Sequence, residues 1–379
     1  HTCITRAPNF CRLILSITEK PHIFVVYKRK ENVEIEQNLW GFSPEGEGGL
    51  LYTMRNASGG EVLLTNAGAA LVGVRLPNGD GSLCNVVAGY DSFAEYVDDT
   101  VGMGKIIGRT SGVISRGRLV IGEQTSRLAV NRPPHHTDGG RKGFGARVWE
   151  ARTEVNRVVF ALESAAGDEG YPSGLRTEVI YDWDDDNRLE ITVVAQADGA
   201  TPIDITTAPM FDLSGEFTPA SIARHRLQVN ASRYVAMRGD NVPTGELPTV
   251  EATDLDFRSE REVGDLDTFD GLIGERGGLD HWLAIDGWQR SILAHVATLT
   301  DPQSGRKMNV YSSQPSLHLY SANAMSGSGA QRDGREYEDH SALALHCMAL
   351  PDAVNRAEFP SIVMEAGELY VQKTVYEFL

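Results

Sequence analysis

The stretch LRTEVIYDWDDDNRLEITVVA, residues 175–195, decides the fold. Residues 175–183 and 189–195 each alternate apolar and polar side chains over part of their length, which is typical of a half-buried β-strand. Residues 184–187 (DDDN) between them are typical of a turn. The stretch therefore predicts two β-strands joined by a short turn.

Similar short runs recur on both sides of this stretch, for example at residues 61–65, 70–76 and 157–162. Turn-forming residues separate them, and no 30-residue βαβ rhythm or internal repeat is present. Long helical periodicity is scarce, so only two short helices are expected, at residues 91–97 and 259–263. The chain is predicted to be all-β, with many strands forming a large antiparallel β-sandwich. Residues 322–339, rich in glycine and serine, are expected to form an exposed loop.

The first 45 residues differ from the rest of the chain. They contain a basic patch, Lys28-Arg29-Lys30, which is followed by several glutamates. We interpret residues 1–45 as an N-terminal extension or arm and residues 46–379 as the sandwich domain. Residues 23–27 are expected to add one strand to a sheet edge. The chain begins with His rather than Met, so its native N-terminus can lie upstream, and its compartment stays open.

The charge balance restricts the classes of partner. Lys and Arg number 35 against 52 Asp and Glu, which gives a formal net charge of −17. Such an acidic chain repels phosphate backbones and anionic lipid, so neither nucleic acid nor a membrane is an expected partner. A neutral ligand or a basic protein surface suits it better. No apolar run is long enough to span a membrane.

Motifs for cofactors and metals are missing from the sequence. It contains no P-loop, GxGxxG, HExxH or GxSxG motif. The four cysteines are scattered and lack zinc-binding spacing, which favours free thiols. No cofactor and no metal are therefore expected.

A series of short motifs follows in a fixed order along the chain. The segment GGRKGFGARVWE at residues 139–150 comes after Gly108-Arg109, and it is followed by EGYP at 169–172, GLDH at 278–281 and LPDA at 350–353. From about residue 50 to the end, this series resembles the aldose 1-epimerase (galactose mutarotase) family. The resemblance implies a large antiparallel β-sandwich with a sugar bound across one concave face. It also implies interconversion of sugar anomers by a general acid and a general base.

The resemblance assigns the acid and base positions to unusual residues. His346 occupies the position of the general base, and Ala208 occupies that of the general acid. Asp280 matches a family aspartate. Where the resemblance implies a sugar-holding histidine, an Asn-Arg pair and a glutamine, this chain carries Asp138, Gly112-Val113 and His318, respectively. Because alanine transfers no proton, the resemblance implies impaired mutarotation.

Three interpretations of function follow. The first is a carbohydrate-binding domain impaired in mutarotation, which could also serve a protein partner. The alternative is an active aldose 1-epimerase or other carbohydrate isomerase in which His346 or His318 acts with Asp280 or Asp138. The third is a metal site formed by histidines with Asp138 or Asp280; we disfavour it because its ligands come from distant segments: His135, His136, His318 and His346.

The expected site residues combine these interpretations. His346, His318 and Asp280 are the candidate catalytic residues. The candidate substrate-binding residues share a polar or aromatic side chain near the matched motifs: Arg109, His136, Asp138, Asp280, His281 and Trp282. Trp282 is the tryptophan expected to contact a sugar, because it lies two residues from Asp280.

Overall fold

The structure is a computed structural model, and it describes residues 33–269 and 271–379. Strands dominate these residues, and the α-helices among them, α1 (Phe93–Asp98) and α2 (Pro219–Arg224), have six residues each. Short 3₁₀ turns lie at Ser115–Gly117, Phe144–Ala146, Asp168–Gly170, Gly274–Arg276 and Ala353–Asn355. In chain order the strands are β1 (Glu34–Phe42), β2 (Gly48–Arg55), β3 (Glu61–Thr65), β4 (Ala70–Pro77), β5 (Leu83–Asn85), β6 (Ile106–Ile107), β7 (Val113–Ile114), β8 (Arg118–Ile121), β9 (Gln124–Arg127), β10 (His136–Thr137), β11 (Glu150–Glu154), β12 (Arg157–Ser164), β13 (Leu175–Trp183), β14 (Arg188–Ala197), β15 (Thr201–Pro202), β16 (Thr206–Thr207), β17 (Met210–Phe211), β18 (Arg226–Val229), β19 (Arg233–Tyr234), β20 (Arg261–Glu262), β21 (Asp280–Ala284), β22 (Ala294–Thr300), β23 (Lys307–Ser312), β24 (Ser316–Tyr320), β25 (Gln331–Arg332), β26 (Arg335–Glu336), β27 (Leu343–Met348), β28 (Val363–Met364) and β29 (Leu369–Phe378).

Three large sheets carry most of these strands. One sheet has nine strands in the order β11-β12-β13-β14-β29-β23-β22-β18-β20, and a second has five in the order β1-β2-β3-β4-β5. The third, which we call the site sheet, has the order β17-β27-β24-β21-β19. The ladders within these three sheets are antiparallel. The hairpin of β13 and β14 is the pair of strands that residues 175–195 predicted, with Trp183 opposite Leu189 at the turn.

One hydrophobic core joins the three sheets. It contains Tyr52 from the β1–β5 sheet, Val179 from the nine-stranded sheet and Leu345 from the site sheet, each fully buried. Sheets that share a core through their inner faces form a sandwich. The predicted all-β antiparallel sandwich is therefore confirmed.

The structure confirms one of the predicted short helices, contradicts the other and only partly supports the predicted exposed loop. Helix α1 lies at the position expected for a short helix, and its N-cap Ser92 accepts a hydrogen bond from the Glu95 backbone N–H. The helix expected at residues 259–263 is wrong, because this segment forms edge strand β20 beside β18. The loop expected at residues 322–339 is only partly exposed. It contains the β25–β26 hairpin, and the Tyr337 hydroxyl is bonded to the Gly89 backbone.

Part of the described β-structure lies within the segment that the sequence assigned to the N-terminal arm. Strand β1 pairs with β2 from Glu34 opposite Arg55 to Phe42 opposite Gly48. The strand expected at residues 23–27 lies outside the described residues, and the arm itself stays a prediction. In the described ranges neither α-helix has the length or the apolar character to cross a membrane.

The site sheet turns its two faces to different surroundings. Along β24, Leu317 and Leu319 are fully buried in the core. His318 and Tyr320, which alternate with them, face outward and are half-buried. The same alternation in β27 sends Leu345 into the core. Because side chains alternate along a strand, the sheet presents a row of outward side chains as the floor of a cleft.

Candidate functional site

A cleft of about 610 Å³ lies over the outer face of the site sheet. Strands β21, β24 and β27 provide its floor, and six other parts of the chain, at residues 101–113, 132–138, 206–210, 239–241, 276 and 323–324, provide its walls. The lining residues are Val101, Gly102, Ile107, Ser111, Gly112, Val113, Arg132, Pro133, Pro134, His135, Thr137, Asp138, Thr206, Ala208, Met210, Gly239, Asp240, Asn241, Arg276, Asp280, Trp282, His318, Tyr320, Asn323, Ala324, His346 and Met348.

Strand register brings four predicted site residues together on the floor. Trp282 pairs with His318 across β21 and β24, and His318 pairs with His346 across β24 and β27. Asp280 lies two positions before Trp282 and faces the same side of β21. These residues come from segments far apart in sequence, so only the antiparallel pairing makes them neighbours.

His318 is the best-connected polar side chain of the floor. Its Nε2 lies 2.7 Å from Asp280 Oδ1, and its ring stacks on that of Trp282 with centroids 3.9 Å apart and planes 13° apart. Asp280 Oδ2 also accepts a hydrogen bond from Arg276 Nη2 at 3.3 Å. Burial raises the pKa of Asp280, but the hydrogen bond and charge of His318, with Arg276, outweigh it and hold that pKa well below its usual range. Asp280 is therefore an anion that fixes the orientation of His318.

His346 has a different electrostatic character. Its side chain is 8% exposed, and its Nε2 lies 3.2 Å from the carbonyl oxygen of Pro209. A carbonyl only accepts, so Nε2 carries the proton in this arrangement. Burial, with the nearby His318, lowers the pKa of His346 to about 3. At neutral pH the ring is neutral and its N–H is engaged by the backbone.

Asp138 lies on the wall of the cleft, at the position where the resemblance implied a sugar-holding histidine. Its Oδ1 accepts a hydrogen bond from the Gly112 N–H at 2.9 Å, and its backbone has a positive φ of 51°. Partial desolvation by the cleft walls raises the pKa of its carboxyl group, and the hydrogen bond from the Gly112 N–H opposes that rise. Its side chain is exposed to the cleft and offers an acceptor there.

Arg109 and His136 do not line the cleft. The Arg109 guanidinium is 1% exposed and donates to the carbonyl oxygens of Ser173 and Ser164 and to Ser164 Oγ. It also lies over the Tyr171 ring, 4.9 Å from the centroid. Burial lowers the pKa of Arg109 to about 10, so it remains charged at neutral pH. His136 Nε2 lies 2.8 Å from the Tyr171 hydroxyl. The expectation that both side chains contact a ligand in the cleft is not met, because other protein groups bind both terminal nitrogens of Arg109 and both ring nitrogens of His136.

His281 is also displaced from the expected site. It follows Asp280 in β21, so strand alternation turns it away from the cleft, and it is 3% exposed. Its Nδ1 accepts a hydrogen bond from the Asp280 N–H at 3.0 Å, and burial lowers the pKa of His281 to about 3. Trp282 does line the cleft, but His318 covers one face of its indole ring.

The structure adds cleft residues that the sequence did not single out as ligand-binding. Arg276 reaches Asp280 from a 3₁₀ turn four residues earlier, and Tyr320 shares the outer face of β24 with His318. His135, considered in the sequence only as a metal ligand, lines the cleft while its Nδ1 accepts from the Arg116 N–H at 3.1 Å. The i, i+4 spacing of Arg276 and Asp280 and the i, i+2 spacing of His318 and Tyr320 are signals that could have predicted the first two.

The metal hypothesis gains no support from the side-chain positions. Within residues 33–269 and 271–379, no three or more His, Cys, Asp or Glu side chains are grouped so that they could hold a metal ion. Of the four histidines proposed, His136 is fully buried against Tyr171, outside the cleft lining. His318 and His346 have ring centroids 6.0 Å apart, and each is bonded to a different protein group.

The sequence and fold were compared with those of known proteins. The family model described as Aldose 1-epimerase matches residues 50–377. The chain is 32% identical over 342 residues to aldose 1-epimerase of Escherichia coli (strain K12). This alignment covers 89% of this chain and 97% of that protein. It is 29% identical over 347 residues to galactose mutarotase of Bos taurus, covering 91% of this chain and 99% of that protein.

Solved structures show the same architecture. A crystal structure of an aldose epimerase homologue from C. elegans matches with a TM-score of 0.77 and 25% identity, over 92% of this chain and 99% of that one. The structure of galactose 1-epimerase from Lactobacillus acidophilus NCFM matches with a TM-score of 0.78 at 23% identity, over 92% and 99% of the two chains, a likeness of fold.

Proposed function

The chain belongs to the aldose 1-epimerase family, and we propose that its cleft binds a carbohydrate while its mutarotation chemistry is impaired. The observation that carries the proposal is the environment of the acid and base positions. Ala208 has no transferable proton. His346 has a pKa of about 3 and its one N–H is bonded to Pro209, so at neutral pH the ring stays neutral and does not hold a second proton. A general acid or base works best with a pKa near the working pH.

Carbohydrate binding is supported by the polar groups that remain open in the cleft. His318, Tyr320 and Asp138 line it together with the Asp280–Arg276 pair. Such a set can bond to sugar hydroxyls, which must find partners when they leave water. The names of the relatives, aldose 1-epimerase and galactose mutarotase, make an aldose the first ligand class to test.

The test is mutarotation of freshly dissolved α-D-glucose and α-D-galactose, followed by polarimetry, with binding of each sugar measured by calorimetry. We expect each sugar to bind, and we expect its mutarotation to be no faster than in the buffer blank. Acceleration well above the blank would refute the impairment. The absence of any sugar binding would refute the carbohydrate-binding assignment.

A second candidate function is an active carbohydrate isomerase, and the His318–Asp280 contact favours it. A histidine held by a carboxylate at 2.7 Å is a competent proton-transfer unit. If turnover is found, His318→Asn is expected to lower kcat about 100-fold or more, whereas His346→Gln leaves it nearly unchanged. Equal loss in both variants would exclude His318 as the principal acid–base group. The protein partner suggested by the acidic composition stays a prediction.

A further inference from the structure

Three carboxylates line the cleft, and they differ in the positive charge that faces each of them. Asp280 Oδ1 lies 2.7 Å from His318 Nε2. Asp240 Oδ2 lies 3.1 Å from Arg238 Nη2. In the part of the chain that the structure describes, Asp138 forms no salt bridge with a Lys, Arg or His side chain. Asp138 is thus a lining carboxylate without a fixed counter-ion.

Two hydrogen bonds to the cleft wall hold Asp138 in position. Its backbone N–H donates to the Gly112 carbonyl oxygen at 3.0 Å, and its Oδ1 accepts from the Gly112 N–H at 2.9 Å. The second carboxylate oxygen, Oδ2, bonds to none of the described residues and is accessible from the cleft. A carboxylate held in this way presents one oxygen to a ligand in a fixed direction.

The charges around Asp138 do not fully stabilise its anion. Desolvation by the cleft walls raises the pKa of Asp138. The hydrogen bond from Gly112 and the positive charges of His318 and Arg132 lower that pKa, and the charge of Asp280 raises it again, so that it stays above its usual range. Arg132 is exposed on the rim and acts only at longer range. A cation placed against Oδ2 would therefore stabilise the carboxylate more than it is stabilised in the free protein.

The wall beside Asp138 offers acceptors rather than donors. Gly112 and Val113 carry no polar side-chain atom, and the Gly112 N–H already bonds to Oδ1. A ligand hydroxyl brings a single hydrogen to Oδ2, whereas an ammonium group brings three N–H donors and a positive charge. The three lining carboxylates also outnumber the two lining arginines, in a chain with a net charge of −17. The cleft therefore favours a cationic group over an anionic one.

We propose that the cleft selects an amino sugar, an aldose in which a protonated amine replaces one hydroxyl, and that Asp138 binds the ammonium group. The proposal rests on the assignment of a carbohydrate to this cleft. The hydroxyls of the sugar contact the open polar groups of the floor, His318 and Tyr320, while the ammonium group donates to Oδ2. Charge-assisted hydrogen bonds are roughly twice as strong as neutral ones, which gives the amino sugar its advantage over the parent aldose.

The test compares matched ligands by calorimetry at pH 6, where the amines are protonated. The ligands are D-glucosamine, D-galactosamine and 6-amino-6-deoxy-D-glucose, each with its parent hexose, and methylammonium chloride is the control for the cation alone. We expect at least one amino sugar to bind about tenfold or more tightly than its parent, and methylammonium to bind more weakly than either. Equal affinity in every pair would overturn the proposal, as would methylammonium binding as tightly as the amino sugar. If no sugar of either kind binds, the carbohydrate assignment itself fails.

Two variants separate a direct contact from the general field of the cleft. Asp138→Asn removes the charge but keeps an acceptor for the Gly112 N–H, and it should lower the ratio of amino-sugar to parent affinity about fivefold or more. Asp240→Asn removes the same charge from a carboxylate that is already paired, so it is the matched control and should change the ratio less than about twofold. Equal losses in both variants would overturn the contact.

The salt dependence of the parent protein tests the same contact without a substitution. Raising the ionic strength from about 0.05 M to about 0.5 M should lower the ratio of amino-sugar to parent affinity, because salt screens the attraction between ammonium and carboxylate. The affinity for the neutral hexose should stay nearly constant and serves as the internal control. A ratio that does not change with salt would contradict the assignment of the preference to charge.

Discussion

The cluster around Tyr171 and the cleft over the site sheet differ in how their polar side chains are used. In the Tyr171 cluster, Arg109 and His136 are buried, and their polar atoms bind backbone carbonyls and the tyrosine hydroxyl. In the cleft, Asp138 is exposed and His318 is half-buried. The first region is closed and bonded internally, whereas the second is open to a ligand.

The same two regions differ in how closely they follow the family pattern. The matched glycine pair belongs to the closed region: a Cβ on Gly139 would lie 1.7 Å from the Gly108 carbonyl oxygen, so no other residue fits there without rearrangement. The replaced positions, Ala208 and Gly112 among them, lie in the cleft. Packing constraints thus account for the retained glycine, whereas the replaced positions line the cleft and bear on the proposed function.

The largest effect that would test this comparison is on stability. Arg109→Met should lower the free energy of unfolding by about 3 kcal/mol or more, because it leaves several buried acceptors unbonded. Urea denaturation measures the change. Arg176→Met is the matched control: that side chain is 83% exposed in a surface pair with Glu163, so little change is expected. An Arg109→Met protein with unchanged stability but weaker ligand binding would show that Arg109 contacts the ligand instead.

The second effect concerns acid stability. His346 has a folded-state pKa of about 3 and an unfolded value of about 6.5, so between these values only the unfolded chain takes up a proton. Stability should therefore fall with decreasing pH in this window, by at most about 1.4 kcal/mol per pH unit for this residue. His346→Gln should flatten the slope measured by urea denaturation at pH 6 and pH 4. An unchanged slope would show that His346 is protonated in the folded state.

The fold was predictable because its signals are local. Alternation at residues 175–195 and the ordered motifs indicated an antiparallel sandwich. The alternating residues lie in strands of the structure, and the DDDN run between them lies in a turn. The segment at residues 259–263 was misassigned because so short a polar run carries no period that separates helix from strand. Pairing with β18 decides its conformation.

The site was predictable only in part. Asp280, Trp282, His318 and His346 were expected in the cleft and lie there, because they occupy alternate positions that face outward. His281 was expected there too, but it lies between Asp280 and Trp282 in β21, so its side chain faces away from the cleft. Alternation is visible in the sequence, yet which face is the core becomes clear only when the three sheets are assembled.

The third effect is smaller and again depends on pH. Asp280→Asn removes the charge that pairs with His318 and Arg276, so we expect a loss of about 1.5 kcal/mol at pH 7, reduced because the carboxylate is 29% exposed. The pKa of Asp280 is depressed, so its contribution is present above about pH 4 and is lost as the pH falls through the folded value.

Thermal or urea unfolding at pH 7 and at pH 2 measures this difference. The difference between the Asp280→Asn variant and the parent protein should be largest at pH 7 and smaller at pH 2, because the stabilisation is lost progressively as the pH falls below about 4. Asp240→Asn, at an exposed pair with Arg238 on the rim of the cleft, is the control and should change stability little at either pH. A difference that stayed constant down to pH 2 would assign the effect to packing rather than charge.

The smallest effect separates stability from binding at a single residue. Asp138→Asn keeps an acceptor for the Gly112 N–H and tolerates the positive φ, so the free energy of unfolding should change by no more than about 1 kcal/mol. A hydrogen bond to a charged acceptor exceeds one to a neutral acceptor by about 1 kcal/mol, so carbohydrate affinity should fall roughly fivefold. Calorimetry and urea denaturation on one preparation measure both quantities. Unchanged affinity would remove Asp138 from the ligand's contacts, whereas a large loss of stability would place it with Arg109 among the residues that hold the fold.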